Sequence, residues 1–313
     1  MKILIIGSRG MLGQYLLKTF LDNLPLPAAP REKQRGWEVI GWDRDEIDIT
    51  DQKQVNEKIK NLKPNLIINS AAYNNVDDCE KNPDLANLIN GYAPGYLALM
   101  AKKLDIPIIH YSTGYVFDGE KGDYKEDDLP NPISKYAESK LLGEHEVKKN
   151  NDKFYIIRTN LLFGNPSIGG KKSFIELMLN LAKEKDKLEV VNDEISNPTY
   201  AKDLADATYE LVNRYKRHVM EGDIPKCRLQ TDKNFPDNKK YPYGIYHFVN
   251  DGSASWYDWA KEIFKIKNID IKVEPVPSSK FPRPAKRPKN SSLLNTKFSK
   301  LRTWQESLRE YLY

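Results

Sequence analysis

The first thirteen residues restrict the fold more than any other stretch. Lys2 to Ile6 is a short apolar, β-branched run, followed at once by Gly7-Ser-Arg-Gly10-Met-Leu-Gly13 and then by the amphipathic segment QYLLKTFLDNL. The apolar run reads as a buried strand and the segment after the glycines as a helix. In that setting glycines close a tight turn and let the backbone approach a pyrophosphate, which the N–H groups and dipole of the following helix stabilise. The spacing is GxxGxxG, and a strand-to-helix turn without a ligand shares it, so the rest of the chain has to decide.

The pattern repeats downstream. A second strand, Trp37 to Trp42, ends in Asp43-Arg44, where folds of this type read the adenosine ribose. Asp43 would accept hydrogen bonds from ribose hydroxyls and repel a 2′-phosphate, whereas Arg44 could pair with one; NADH and NADPH both stay open, with a lean to NADH. Asp48-Ile49-Thr-Asp51 precedes the helix QKQVNEKIKNL and serves either to cap it or to hold adenine. Pro64 to Asn69 is a third strand running into Ser70-Ala71-Ala72-Tyr73, small residues against which a flat cofactor can lie. A long helix is expected from about Leu85 to Leu104. Its Asn90 is either satisfied within the helix or binds backbone or water beside the lysine described below. Further strands are expected at Ile106 to Tyr111, from Tyr155 towards Gly164, and at Gly244 to Val249.

Strand and helix alternation of this kind predicts an α/β fold: a Rossmann-like, doubly wound parallel sheet with the site at the strands' carboxyl ends. The alternation stops near Gly164. Residues 1–165 are therefore assigned to the cofactor domain, to which the chain returns around 195–215 and 243–250. Residues 166–194 and 251–313 form a smaller mixed α/β lobe over the substrate. Polar stretches at 24–36 and 214–243 read as surface insertions.

Tyr136 and Lys140, four residues apart in SKYAESKLLGEHEV, lie on one face of a helix. A phenol is a poor proton donor or acceptor at neutral pH, and an adjacent ammonium lowers its pKa towards working range. Tyr136 could then exchange a proton with a carbonyl or alcohol oxygen. The strand ending in Ser112-Thr113-Gly114-Tyr115 offers a second hydroxyl donor to the same oxygen. Between them EKGDYKEDDLPNP is a polar loop long enough to fold over a site. The proline-rich segment from Phe281 to Pro288 cannot be helical. It brings Arg283, Lys286 and Arg287 together, either as a basic surface loop or as guanidinium forks that clamp phosphates.

Composition narrows the class. The net charge of +5 is spread along the chain and does not read as a nucleic-acid footprint, though it suits an anionic substrate. Two distant cysteines, Cys79 and Cys227, indicate neither a disulfide framework nor a zinc site, and a reducing cytoplasm fits. No apolar run approaches the roughly 20 residues needed to cross a bilayer. No carboxylate cluster demands a metal.

In order and context, GSRGMLG, DITD, NSAAYNNVDDCE, STGYVFDG, the Tyr136/Lys140 pair, RTNLLFG, NPTYAKDLA and PRPAKRPKNSSLLNTK resemble the extended short-chain dehydrogenases/reductases. Within them they are most similar to the dTDP-4-dehydrorhamnose reductase family, which makes nucleotide-linked rhamnose for cell-surface polysaccharide. The resemblance implies Thr113, Tyr136 and Lys140 as catalytic trio, with hydride delivered to a C4 keto group and Tyr136 supplying the proton. It implies cofactor contacts from Gly7, Arg9, Gly10, Met11, Leu12, Asp43, Asp48, Ile49, Ala71, Ala72, Tyr73 and Asn90, besides Tyr136 and Lys140. On the substrate side it implies Val76, Gly114, Tyr115, Phe117, Asn160 and Leu161, with Arg283 and Arg287 towards the phosphates. It calls for a nucleotide sugar and NADH or NADPH, without nucleic acid, membrane or metal, and it allows a homodimer. Two positions depart from the family pattern: Gly114 stands where an aspartate is usual, and Leu161 where a tryptophan is. They leave room for a related nucleotide 4-keto sugar handled by a reductase or epimerase, or for a non-catalytic binding role like that of the regulatory β subunit of methionine adenosyltransferase.

Overall fold

The computed structural model describes residues 1–23, 37–168, 170, 173–220 and 241–313; the insertion at 24–36 and residues 221–240 lie outside them. Six strands form one parallel sheet: β1 (Lys2–Ile6), β2 (Glu38–Trp42), β3 (Leu66–Asn69), β4 (Ile108–Thr113), β5 (Phe154–Thr159) and β6 (Gly244–His247), in the spatial order β6-β5-β4-β3-β1-β2. Every neighbouring pair is parallel.

The strand sequences are almost continuously apolar because both faces of the sheet are covered. Successive side chains point to opposite faces. Ile3 and Ile5 of β1, Leu66 and Ile68 of β3, and Tyr155 and Ile157 of β5 enter one core with the helices α1 (Met11–Asp22) and α5 (Ala201–Met220). Leu4, Ile6, Ile67, Ile108 and Ile156 enter a second core with α2 (Gln52–Leu62) and α3 (Ala93–Lys103). The first core runs on without a break into the C-terminal lobe, reaching Trp259 and Ile263 of α6 (Trp256–Ile266). There a parallel pair, Lys187–Val191 with Lys272–Val276, packs beside α6, which Ser255 caps together with Asp258. The helix carrying Tyr136 and Lys140 is α4 (Lys135–Asn150), opened by the Ser134 hydroxyl.

Strand order reverses between β1 and β3, and in open parallel sheets the ligand crevice lies outside the carboxyl ends at such a point. That is where Gly7 meets Ala71: a Cβ on Gly7 would stand 2.7 Å from Ala71 N.

Two stretches differ from expectation. The single helix expected over Leu85 to Leu104 is interrupted by a π-helical turn, Asn87–Tyr92, preceded by a short α turn, Pro83–Ala86. The extra residue that a π turn accommodates swings Asn90 inward to full burial. Helix α5 runs to Met220, several residues into the stretch assigned to a polar insertion from Arg214.

The start of α5 carries a buried knot. Asp203 accepts hydrogen bonds from Asn250 Nδ2 (2.7 Å), Arg302 Nη2 (2.7 Å) and Ser307 Oγ. Among the described residues, no helix is long and apolar enough to cross a membrane.

Candidate active site

The glycine turn is built to leave backbone donors open. Gly7 sits at φ +79°, a region that a side chain disfavours, and its N–H donates to Trp42 O at 2.9 Å. Gly13 on α1 has no room for a Cβ, which would come closer than 3.0 Å to the Gly7 and Ser8 backbone. Gly10 is the N-cap of α1 and supplies no side-chain cap, so the first N–H groups of the helix are not spent on one. Met11 is half-buried beside this end, whereas the Leu12 side chain is buried in the first core, so only its backbone can face a ligand.

At the end of β2, Asp43 accepts from Arg9 N and Arg44 N, each at 2.9 Å. The Arg9 guanidinium is engaged by Asp45 and Glu46, which keeps it charged; Arg44 is exposed. The DITD segment divides its tasks. Asp51 caps α2, and Asp48 holds its own turn by accepting from Thr50 N (2.9 Å) and Thr50 Oγ1 (2.7 Å). Ile49 is 8% exposed and packs into the second core, so the expected adenine contact from its side chain is not available. Asn90 is fully buried and spends its carboxamide on protein groups. Its Oδ1 accepts from Tyr73 N (2.8 Å), and its Nδ2 donates to Tyr73 O (3.1 Å) and Ser139 Oγ (3.0 Å). It ties the segment after β3 to α4, one of the two roles expected of it. Ala71, Ala72 and Tyr73 stay half-buried at the strand end.

The trio converges. Thr113 is the last residue of β4, and its Oγ1 accepts from Tyr115 N at 3.2 Å, which leaves the hydroxyl proton to point elsewhere. Tyr115 meets Tyr136 edge to face, with ring centroids 6.1 Å apart. Burial pushes the Tyr136 phenol well above its ordinary range, and a hydrogen bond with the Thr113 hydroxyl offsets part of the rise. This is opposite to the depression expected from Lys140. One turn along α4, Lys140 Nζ donates to Tyr111 O at 2.6 Å, and its charge does not outweigh the burial of the phenol. Burial lowers the pKa of Lys140 itself to about 8, against a partial rise from Glu144.

That lowered pKa is a cost to folding. A lysine whose folded pKa lies below its unfolded value destabilises the fold fully below the folded pKa, and the cost fades as pH rises from about 8 towards 10.5. The difference corresponds to about 3 kcal/mol. Lys140→Met, which keeps the aliphatic stem but leaves Tyr111 O without this donor, is expected to gain about 1 to 2 kcal/mol at neutral pH. The gain should shrink above pH 8. Chemical denaturation of both proteins at two pH values checks it.

Beneath Lys140 on the same helix face, Glu144 receives both arms of Arg158 from β5, at 2.8 Å each, and the Ser112 hydroxyl from β4 at 2.6 Å. Burial raises the Glu144 pKa, but these donors outweigh it and hold the carboxyl below its ordinary range. Both side chains of the pair are essentially inaccessible. No sequence spacing announces this pair; the spacing of Tyr136, Lys140 and Glu144 at successive fours is its one trace.

On the substrate side, several expected residues are repositioned. Phe117 is fully buried, stacked on Tyr124 with centroids 4.2 Å apart and covered by Arg158, so it backs the site and cannot line it. Asn160 is 4% exposed and bonded to Gly114 N and Ser291 O. Leu161 is half-buried with φ +36°. Val76 opens a short helix whose next residue, Asp77, takes the whole Arg287 fork at 2.6 and 2.7 Å. That fork holds Asp77 down to about 2. Arg283 pairs with Glu194, which Trp256 Nε1 also approaches at 3.3 Å. The two guanidinium groups expected to clamp phosphates are thus already engaged by carboxylates. They flank a cavity of about 350 Å³ walled by the 278–289 segment and Asp118.

Comparison with known proteins agrees with this geometry. The family model described as RmlD substrate binding domain matches residues 1–313. The chain is 34% identical to the spore coat polysaccharide biosynthesis protein SpsK of Bacillus subtilis, over 99% of this chain and 96% of that protein. Among solved structures it is similar to a dTDP-4-dehydrorhamnose reductase from Clostridium acetobutylicum, with 38% identity, a TM-score of 0.83, and coverage of 100% of this chain and 98% of that one. It is also similar to the dTDP-4-dehydrorhamnose reductase of Bacillus anthracis in complex with NADP, with 30% identity, a TM-score of 0.80, and coverage of 99% and 98%. A single parallel sheet, an open glycine turn at its switch point, a Thr-Tyr-Lys convergence and end-to-end similarity lead to one assignment: the chain belongs to the dTDP-4-dehydrorhamnose reductase family.

Proposed function

We propose that this chain reduces the C4 keto group of dTDP-4-dehydrorhamnose to the alcohol of dTDP-L-rhamnose, with a reduced nicotinamide dinucleotide as hydride source and Tyr136 as proton donor. The observation that carries the reading is the convergence of Thr113, Tyr136 and Lys140 at the carboxyl end of β4.

The residues present fit a dinucleotide. Gly7 and Gly13 let the turn close tightly against the Ala71 and Ser8 backbone where a Cβ would collide, and the uncapped start of α1 offers N–H donors to a pyrophosphate. Asp43 keeps lone pairs for ribose hydroxyls beyond the two backbone donors it already accepts. Ala71 and Ala72 give the flat wall. Bound there, the nicotinamide supplies the hydride.

The chain's own residues handle the proton. A phenol whose pKa is pushed up is fully protonated at neutral pH, the state that a donor needs before the step. Thr113, with its oxygen already accepting from Tyr115 N, can turn its proton to the keto oxygen and share the developing negative charge. Lys140, still charged below about pH 8, stands one helical turn from the phenolate left behind and stabilises it.

The deciding experiment mixes purified protein, NADH or NADPH, and enzymatically generated dTDP-4-dehydrorhamnose, and follows loss of the reduced-nicotinamide absorbance. Oxidation that needs the keto sugar supports the reading, and bound cofactor without oxidation sinks it. One observation favours a related nucleotide 4-keto sugar instead: Asn160 fills the space beside Gly114, where the family's usual carboxylate would stand. Running the same assay with a second 4-keto sugar nucleotide separates the two.

The cofactor preference hangs on Arg44. No partner for its guanidinium is found among the described residues, and it flanks Asp43 at the ribose position. Arg44→Ala is expected to raise KM for NADPH about tenfold, the worth of one charge-assisted hydrogen bond, and to leave KM for NADH within about twofold. Equal changes for the two cofactors would remove Arg44 from the ribose site.

A further inference from the structure

Gly114 and Asn160 are 46 residues apart in sequence and in direct contact in space. A Cβ at position 114 would come closer than 3.0 Å to three atoms of the Asn160 carboxamide. Asn160 has little freedom to step aside. Its Oδ1 accepts from Gly114 N (3.2 Å), and its Nδ2 donates to Ser291 O (2.7 Å) and Asn197 Oδ1 (3.4 Å). Asn197 in turn accepts from Leu293 N (2.7 Å) and donates to Gly252 O (2.9 Å). The next residue, Leu161, is held at φ +36°, a region that side chains with a Cβ disfavour, while its carbonyl accepts from Thr199 N at 3.1 Å. A strained backbone beside a fully bonded buried amide marks a segment held in place by its surroundings.

What it holds is the turn that follows β4. Gly114–Val116 is a single 3₁₀ turn, Thr113 caps it through Tyr115 N, and Tyr115 packs edge-on against Tyr136. A displacement of Gly114 N therefore moves the Thr113 hydroxyl and the Tyr115 ring together. We propose that Asn160 is a positioning residue for the reduction: it fixes the Gly114 turn that aims Thr113 and Tyr115, ties that turn to the Asn197 and Ser291 loops of the lobe, and excludes any side chain at position 114. The sugar then meets backbone and the Tyr115 ring at this point, with no side chain from residue 114. The proposal rests on the reductase reading above.

The test compares wild type, Gly114→Ala, Asn160→Ser, Asn160→Asp and the double variant Gly114→Ala/Asn160→Ser, each corrected for the fraction of protein that binds NADPH. Each of Gly114→Ala and Asn160→Ser is expected to lower kcat about tenfold or more, with the NADPH dissociation constant within about twofold, because misplacing reacting groups by a fraction of an ångström costs rate and not cofactor affinity. Asn160→Asp keeps the acceptor for Gly114 N but sets a buried carboxylate against Ser291 O and Asn197 Oδ1, so it too is expected to lower kcat about tenfold or more. The double variant, in which serine leaves room for the added methyl, should be no slower than Gly114→Ala alone. Wild-type kcat in Asn160→Ser, or a double variant as slow as the product of the two single losses, overturns the proposal. Should Asn160→Ser not fold, Asn160→Asp against Gly114→Ala makes the same decision. If wild type shows no turnover with the keto sugar, the failure belongs to the reductase reading. The pair is then judged by melting temperatures, where independent, additive losses overturn the contact.

Discussion

Tyr136→Phe is expected to lower kcat by about 100- to 10,000-fold, the usual worth of a positioned proton donor. The substitution keeps the ring that packs edge-on against Tyr115 and removes only the hydroxyl that pairs with Thr113, so the fold and the cofactor turn at Gly7 to Gly13 should be untouched. NADPH affinity is therefore expected to stay within about twofold, measured by fluorescence titration alongside single-turnover rates. Near-native turnover would show that the proton comes from elsewhere, with Thr113 the nearest hydroxyl. A parallel loss of cofactor affinity would show that the phenol holds the nicotinamide half and is not only a proton source.

The largest stability effect should come from Glu144→Ala. It leaves the Arg158 guanidinium buried with no counter-charge, and breaking a buried pair from one side costs about 3 to 5 kcal/mol. In a chain of this size that corresponds to a fall in Tm of roughly 5 to 8 °C. Replacing both partners, Glu144→Met with Arg158→Leu, should recover most of the loss, because it removes the stranded charge as well as the attraction. The pH dependence has a definite sign. The Glu144 carboxyl lies below its ordinary value of 4.5 in the fold, so its contribution is present above that value and is lost as pH falls further. Acid unfolding of wild type should thus steepen below about pH 4, and the double variant should lack that component. Because Glu144 lies one turn below Lys140 on α4, the single variant should also reduce turnover in the protein that remains folded.

Much of this was legible in the sequence where chemistry is local. The apolar runs mark β1, β3 and β4 to within two residues. Four-residue spacing put Tyr136 and Lys140 on one helix face. What the sequence hid is set by distant partners. Spacing says nothing of burial, so the direction of the Tyr136 shift was missed. The partners of Arg283 and Arg287 lie 89 and 210 residues away, at Glu194 and Asp77, and no local pattern ties them. The π turn at Asn87–Tyr92 was invisible because one extra residue barely disturbs a helical hydrophobic pattern. The unexpected glycine at 114 becomes intelligible only beside Asn160.

The Asp203 knot bears on how the chain can be made. Its three donors arrive 47, 99 and 104 residues later in the sequence, and β6 joins β5 only after Gly244. During synthesis, β1 to β5 can pair through short-range crossovers as they emerge. The foot of α5 meanwhile keeps a carboxylate that lacks its first partner until Asn250 has emerged, and its charged one until Arg302 has. High contact order of this kind slows the closing step and delays cooperativity until these late partners are in place. A ribosome-stalled chain ending before Arg302 should therefore remain protease-sensitive around α5 while its first strands are already protected.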